Sequence, residues 1–351
     1  MEYRPLGRSG ITVSAIGLGV MTFGAQTAPD DAFRQLNLAL DAGVTLFDTA
    51  ENYPAPVDAA TQGRSEEILG QWIAARGVRD RVVVATKVAG PGNAAGNMNH
   101  IRGTARRLDR VNLVAACDAS LRRLGTDRID LYQVHWPERP ITTLRRSRFS
   151  HIPDAPDLVP LEETLAALGE LVAAGKVRAI GLCNEAAWGV MHCLAAAERQ
   201  GLPRLAAIQN GYSLLDRQFE IALAEVALRE DVGLIGFSPL HSGLLTGKYD
   251  PGAPRKLAGS RSSLFAGFEA RFKPAVLNAA AAYAALAREH GIAPAHMALA
   301  FARSRPFTTS VLMAASSAAQ LEGNLPAIDL ALPRELIKAI DAIHDAHPNP
   351  G

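Results

Sequence analysis

Eight short, mostly apolar runs alternate with longer helical patterns along nearly the whole chain, and no other feature restricts the fold as much. The runs cover residues 16–19, 45–48, 82–88, 129–135, 177–182, 205–209, 233–237 and 310–313. They read as apolar on both faces, as strands of a parallel sheet covered by helices must be. Residues 31–42, 65–76, 110–124, 162–174, 187–200, 219–229, 277–290 and 294–304 carry helical periodicity. Ser65 ahead of Glu66 and Glu67, and Pro294, read as helix starts, while Gly43, Gly77, Gly175 and Gly291 read as stops. Eight such units predict an α/β fold closed as a (β/α)8 TIM barrel, with residues 1–351 as one domain. Before the first unit, Tyr3-Arg4-Pro5 and Ile11-Thr12-Val13 flank the turn-rich Gly7-Arg8-Ser9-Gly10. This predicts an N-terminal β-hairpin closing the bottom of the barrel.

Charge excludes two classes of partner. The 36 basic and 35 acidic residues nearly cancel, so nothing electrostatic draws the chain to nucleic acid or a membrane surface. Arg145, Arg146 and Arg148 form too short a cluster for a nucleic-acid patch and read as a solvated loop. The three cysteines, Cys117, Cys183 and Cys193, lack disulfide or zinc spacing, and no metal site is expected. With no signal-peptide layout and no run of membrane-span length, the expectation is a cytoplasmic protein. Residues 90–109, 137–160 and 242–273 exceed what barrel connections need. Each follows the C-terminal end of a strand, where barrels carry binding loops.

Four polar residues sit where barrel strands would bring them to one mouth. Asp48, Lys87 and His135 stand at or next to the ends of three of the runs, and Tyr53 follows Asp48 by five positions. Taken singly, each has an ordinary structural explanation: a turn cap, a solvated cation, a loop aromatic, a satisfied core histidine. Together they make a chemical unit. A free phenol has a pKa of about 10; a neighbouring ammonium stabilises the phenolate, and a carboxylate keeps that ammonium charged when buried. Histidine adds a donor that orients and polarises a carbonyl oxygen. A phenolic acid of this kind suggests that a cofactor supplies the other half of the reaction, with hydride as the candidate.

These segments resemble the aldo-keto reductase family. The resemblance rests on Phe47-Asp48-Thr49-Ala50-Glu51-Asn52-Tyr53, Ala85-Thr86-Lys87, Leu131-Tyr132-Gln133-Val134-His135-Trp136-Pro137, Gly181-Leu182-Cys183-Asn184-Glu185, Ile208-Gln209-Asn210-Gly211-Tyr212 and Phe237-Ser238-Pro239-Leu240. Tyr53-Pro54-Ala55-Pro56, Thr61-Gln62-Gly63 and Trp136-Pro137-Glu138-Arg139-Pro140 make it most similar to a bacterial, Tas-like branch. The resemblance implies reduction of aldehydes or ketones with NADPH, NADH not being excluded. Tyr53 would be the proton donor, tuned by Lys87 and Asp48, with His135 orienting the carbonyl. It also implies cofactor contacts from Thr22, Asp48, Cys183, Asn184 and Gln209 near the carboxamide, and from Tyr212 stacked on the nicotinamide. Phe237, Ser238, Pro239, Leu240, Ser242 and Lys248 would surround the pyrophosphate, and Arg261, Ala314, Ser316, Gln320 and Asn324 the adenosine end. Phe23, Tyr53 and Trp136 are expected to wall the substrate pocket.

The departures from the family pattern bear on the cofactor. Cys183 stands for serine, Gly211 for proline, His241 for a small residue and Ala314 for glycine. Ser316 stands where some relatives carry an arginine for the 2′-phosphate, a charge that Arg261 is placed to supply. The competing expectation is a regulatory or redox-sensing subunit that binds the nucleotide and turns over slowly. The substrate and the oligomeric state have no signature in the sequence.

Overall fold

Eight parallel strands close on themselves: β3 (Ile16–Gly19), β4 (Leu46–Asp48), β5 (Val83–Val88), β6 (Ile129–Val134), β7 (Val177–Cys183), β8 (Leu205–Gly211), β9 (Gly233–Phe237) and β10 (Thr308–Met313), with β10 pairing both β9 and β3. The computed structural model describes residues 1–92, 97–103, 106–141, 151–250, 252–265 and 267–351. Arg145, Arg146 and Arg148 lie outside the described residues. Helices α1 (Pro29–Asp41), α2 (Arg64–Arg76), α3 (Arg110–Leu124), α4 (Leu161–Ala173) and α5 (Ala187–Gln200) follow the first strands in strict alternation. The C-terminal half carries α6 (Leu223–Arg229), α7 (Arg261–Leu264), α8 (Pro274–Glu289), α9 (Pro294–Ser304), α10 (Ala318–Asn324) and α11 (Arg334–Ala346). This is the expected (β/α)8 TIM barrel.

Side-chain parity along the strands explains the apolar runs. Outward positions such as Phe47, Val84, Tyr132, Val134, Ile180 and Leu182 join one large cluster with the helices. Inward positions Leu46, Val83, Ala85, Leu131, Ala179, Ala207, Ile235 and Leu312 join a second, separate cluster. Further along the inward faces the residues turn polar: Asp48, Lys87, Gln133, Cys183 and Gln209 share the parity of the apolar residues before them. Each such strand therefore has an apolar lower half and a polar upper end.

The hairpin fills the lower half. β1 (Tyr3–Pro5) pairs antiparallel with β2 (Thr12–Ser14), and Leu6, Ile11 and Val13 complete the inner cluster from below. Burying each such side chain contributes about 1.5–3 kcal/mol. Gly7 sits at φ +53°, and a Cβ there would lie 2.5 Å from the Ala206 carbonyl oxygen, so the hairpin turn presses on β8 closely enough to exclude any side chain.

Three local expectations are corrected. The pattern at 219–229 is not one helix: a short 3-10 turn at Gln218–Glu220 is broken at Ala222 (φ 71°), and α6 begins only at Leu223. Ser65 is not the cap of α2. Gly63, at φ 85°, holds that position, and the Ser65 hydroxyl instead donates to the Phe23 carbonyl at 2.9 Å. Finally, α11 lies beyond the expected units; Leu336 and Ile340, one turn apart, are its buried residues. Among the described residues no helix is long and apolar enough to cross a membrane.

Candidate active site

Asp48, the last residue of β4, and Lys87 on β5 face each other inside the barrel. Lys87 is fully buried, and its Nζ donates to Asp48 Oδ1 at 2.5 Å and to the Thr49 carbonyl at 2.7 Å. The other Asp48 oxygen accepts from Gln209 Nε2 at 2.7 Å and Gln133 Nε2 at 3.3 Å. Burial works against the ammonium, but Asp48 and the neighbouring Tyr53 outweigh it and raise the Lys87 pKa above its ordinary value. Gln133 was not among the expected site residues. Its signal was parity, since it lies two positions before His135 on the same inward face.

Tyr53 and His135 stand above this pair. Lys87 Nζ is 5.2 Å from the centre of the Tyr53 ring, and the Tyr53 and His135 rings meet edge to face at 5.6 Å. The expected lowering of the phenol pKa does not occur in the protein alone. Burial pushes it up to about 12, against the pull of Lys87 and with Asp48 adding to the rise. Burial, and then the charge of Lys87, hold the His135 imidazole well below its ordinary value and therefore neutral. His135 Nδ1 is 3.0 Å from Asn52 Oδ1.

The segment carrying Tyr53 is pinned from one side. Glu51 is buried, takes a two-pronged ion pair from Arg102, and accepts the Ala89 N–H at 2.6 Å. Arg106, also buried, donates to the carbonyls of Gly90, Gly92, Met98 and Ile101. These two arginines fold the described part of loop 90–109 back onto the barrel. Among the described residues, loops 90–109 and 137–160 contribute nothing to the main cavity, whereas loop 242–273 contributes Ser242, Gly243, Thr246, Lys248, Gly259, Ser260, Arg261 and Arg271.

That cavity has a volume of about 820 Å³, within the range of small-molecule and cofactor sites. It runs from Asp48, Tyr53 and His135 to Ser316, Gln320 and Asn324. Thr22, Cys183, Asn184, Gln209, Phe237, Ser238, Pro239, Leu240, Ser242, Lys248, Arg261 and Ala314 also line it. Asn184, at φ 55°, donates to the His135 carbonyl at 2.9 Å and to Cys183 Sγ at 3.2 Å. Because the Gln209 amide NH2 is committed to Asp48 and Gln133, its Oε1, facing only the Cys183 thiol at 3.7 Å, is the atom left for a ligand donor. Ser238, His241, Ser242 and Gly243 all have positive φ. A Cβ on Gly243 would lie 2.9 Å from Lys248 Nζ, so the lysine packs directly over this turn. At the far end, Ser316 Oγ donates to Gln320 Oε1 at 3.0 Å.

The structure places three expected residues elsewhere. Tyr212 is buried with its ring against Phe301 and Phe307 and its hydroxyl donating to Glu220. Inward parity on β8 runs Ala207, Gln209, Gly211, so Tyr212 points out of the barrel. The ring at the cavity is that of Phe237, which lies over Gly211. Phe23 is fully buried in the core cluster, and Met21 lines the cavity instead. Trp136 packs at 5.0 Å from the His135 ring and donates to the Pro91 carbonyl at 2.9 Å, outside the cavity lining. Met21, Gln26, Arg271 and His296 line the cavity without having been expected to. Met21 and Gln26 sit in turns, Arg271 ends the short 3-10 turn Phe268–Arg271, and His296 lies in the first turn of α9, all places where periodicity carries little signal.

Cys117, Cys183 and Cys193 are free and buried. Among the described residues no group of three or more His, Cys, Asp or Glu is placed to hold a metal ion.

Comparison with known proteins matches residues 15–345 to the model of the Aldo/keto reductase family. The chain is 44% identical to Protein tas of Escherichia coli over 350 residues, covering 100% of this chain and 99% of that one. It is 33% identical to the uncharacterized oxidoreductase YrpG of Bacillus subtilis, covering 100% and 97% of the two chains. It is also 31% identical to a probable voltage-gated potassium channel subunit beta of Arabidopsis thaliana, covering 94% and 92%.

Proposed function

The chain belongs to the aldo/keto reductase family and is an oxidoreductase by that membership; we propose that it reduces aldehydes or ketones to alcohols with NADPH, Tyr53 giving the proton. The observation that carries this reading is the convergence of Asp48, Lys87, Tyr53 and His135 at one end of an elongated cavity.

The cavity fits a dinucleotide. It is long, has an aromatic ring and amide groups at the reacting end, and gathers Lys248, Arg261 and Arg271 along its course. Asn184 and Gln209 would hold the carboxamide, Phe237 would face the nicotinamide, and Ser238 to Lys248 would surround the pyrophosphate. Arg261, with Ser316 and Gln320, would favour a 2′-phosphate, hence NADPH over NADH. When bound, that cofactor supplies hydride.

The chain's own residues handle the oxygen. His135, neutral, orients the carbonyl. Tyr53 holds a proton beside it, and Lys87, kept charged by Asp48, supplies a positive field that favours the developing phenolate. A phenol raised to about 12 still donates downhill, because an alkoxide is a far stronger base than a phenolate. The sign follows: the proton stays on Tyr53 through neutral pH and leaves only as pH rises. We expect kcat/KM for reduction to show no falling limb from this group until the pH approaches about 12. A loss of rate centred near neutrality, with nucleotide binding unchanged, would contradict the assignment.

Phe237 and Tyr212 separate stacking from packing. Phe237→Ala is expected to weaken NADPH binding by roughly tenfold, given about 1–3 kcal/mol for a base on an aromatic ring. Tyr212→Leu, which removes the ring, should leave that affinity unchanged and lower stability by at least about 1.5–3 kcal/mol, the worth of its hydrogen bond to charged Glu220. Nucleotide titration and denaturant midpoints on both variants decide, and the reverse pattern would return the stacking role to Tyr212.

The function itself is tested by NADPH consumption against a panel of aromatic, aliphatic and sugar-derived carbonyls. A second reading follows from the relative named as a potassium channel subunit: a nucleotide-binding regulatory barrel. Tight NADPH binding with no turnover on any carbonyl would favour it.

A further inference from the structure

Histidine can donate to a carbonyl oxygen only if the nitrogen facing that oxygen carries the proton. A neutral imidazole has one N–H and two nitrogens. In His135, Nδ1 is engaged by Asn52 at 3.0 Å, which leaves Nε2 for the cavity that His135 lines. The structure turns Asn52 Oδ1 to Nδ1, and in that orientation the proton belongs on Nδ1 and Nε2 is a bare acceptor. With the amide turned by half a revolution, its NH2 donates to Nδ1 and the proton belongs on Nε2. The two amide orientations have the same volume and are exchanged by rotation about one bond.

Asn52 is held where this choice matters. It is 1% exposed. On one side Glu51 is locked by Arg102 and by the Ala89 N–H, and its own N–H donates to the Lys87 carbonyl at 3.1 Å. On the other, Tyr53 N–H donates to the Ala50 carbonyl at 3.0 Å and the Tyr53 carbonyl accepts from Gly63 at 2.8 Å. The His135 ring is fixed as well, since its backbone N–H donates to Val88 and its carbonyl accepts from Asn184. Two consecutive residues of one pinned segment thus meet the reacting oxygen, Tyr53 directly and Asn52 through His135.

We propose that Asn52 is a positioning residue whose amide keeps the His135 proton on Nε2, aimed at the substrate oxygen. This rests on the carbonyl-reduction reading above. An ordinary buried asparagine filling space beside a histidine would be replaceable by any residue of its size. A proton-placing asparagine makes a sharper demand. Aspartate, equal in size but able only to accept, forces the proton onto Nδ1 and removes the Nε2 donor. Leucine, of similar size and with no hydrogen bond, leaves the ring free to keep Nε2–H.

The test is nitrogen NMR of histidine-labelled protein, His135 being assigned by its loss in His135→Gln, alongside NADPH turnover. The wild type should show a protonated Nε2. Asn52→Asp should show a protonated Nδ1 and lose roughly a hundredfold in kcat, the lower end of a donor's contribution, while Asn52→Leu keeps Nε2–H and loses less than about tenfold. A wild-type spectrum with the proton on Nδ1 overturns the proposal even if no variant folds. So does an Asn52→Asp protein that keeps wild-type kcat, or one less impaired than Asn52→Leu. The proton position is read without substrate. Nε2–H in a wild type that reduces no carbonyl would therefore support the placement while refuting the function assigned above.

Discussion

Tyr53→Phe is expected to lower kcat for carbonyl reduction by roughly a hundred- to ten-thousandfold while NADPH affinity stays within about twofold of wild type. The substitution removes one oxygen and nothing else. The ring that meets His135 edge to face at 5.6 Å is kept, as is the ring 5.2 Å from Lys87 Nζ. No other group of the cluster is placed to take over, since Lys87 is committed to Asp48 and Thr49 and His135 is held neutral by burial and by Lys87. Steady-state turnover with the best carbonyl of the panel, beside a nucleotide titration of the same protein, separates the two effects. A kcat within tenfold of wild type would remove Tyr53 from the chemistry.

Asp48→Asn is expected to cost about 3–5 kcal/mol of folding stability, because it strands a buried ammonium. Lys87 is fully buried and has Asp48 as its anionic partner. The neutral amide keeps the shape but removes the charge that offsets the burial of Lys87. The pH dependence should change sign as well. In the wild type the Lys87 pKa is raised, so its contribution is complete below the unfolded value of about 10.4 and fades as pH climbs through the folded one. In Asp48→Asn, burial acts without a counter-charge and depresses the folded pKa. The unfolded chain then holds more protons, and the variant gains stability as pH rises through the depressed value. Denaturant midpoints across a pH series measure both effects. An unchanged midpoint would mean that Lys87 adjusts without its partner and that the pair is not what holds the barrel mouth.

Much of this was legible because barrel strands state their parity. The eight strands fall within about two residues of the expected runs at every end, and helices such as Arg110–Leu124 and Ala187–Gln200 fall on the expected residues. Asp48, Lys87 and His135 were readable as strand-end residues because a polar group there needs a reason. The failures have physical causes. Tyr212 was assigned to the cofactor although the inward step from Gln209 lands on Gly211, so counting by twos would have sent its ring outward. Phe23 and Trp136 lie in connections, where no period says which of several neighbours faces the cavity, and Met21 took the place given to Phe23. The rise of the Tyr53 pKa depends on the depth of burial set against one charge, and a sequence does not state depth.

The inner faces of the strands, apolar below and polar above, divide the molecule into two jobs with little overlap. Leu6, Ile11, Val13 and the inner residues they meet hold the barrel closed without approaching the reacting end. Asp48, Lys87, Gln133 and Gln209 work at that end, each with partners drawn from the same polar set. For a lineage of such chains, this separation leaves specificity free to drift. The residues after β3 that line the cavity, Met21 and Gln26 among them, can be exchanged to reshape it while the plug beneath goes on closing the barrel unchanged.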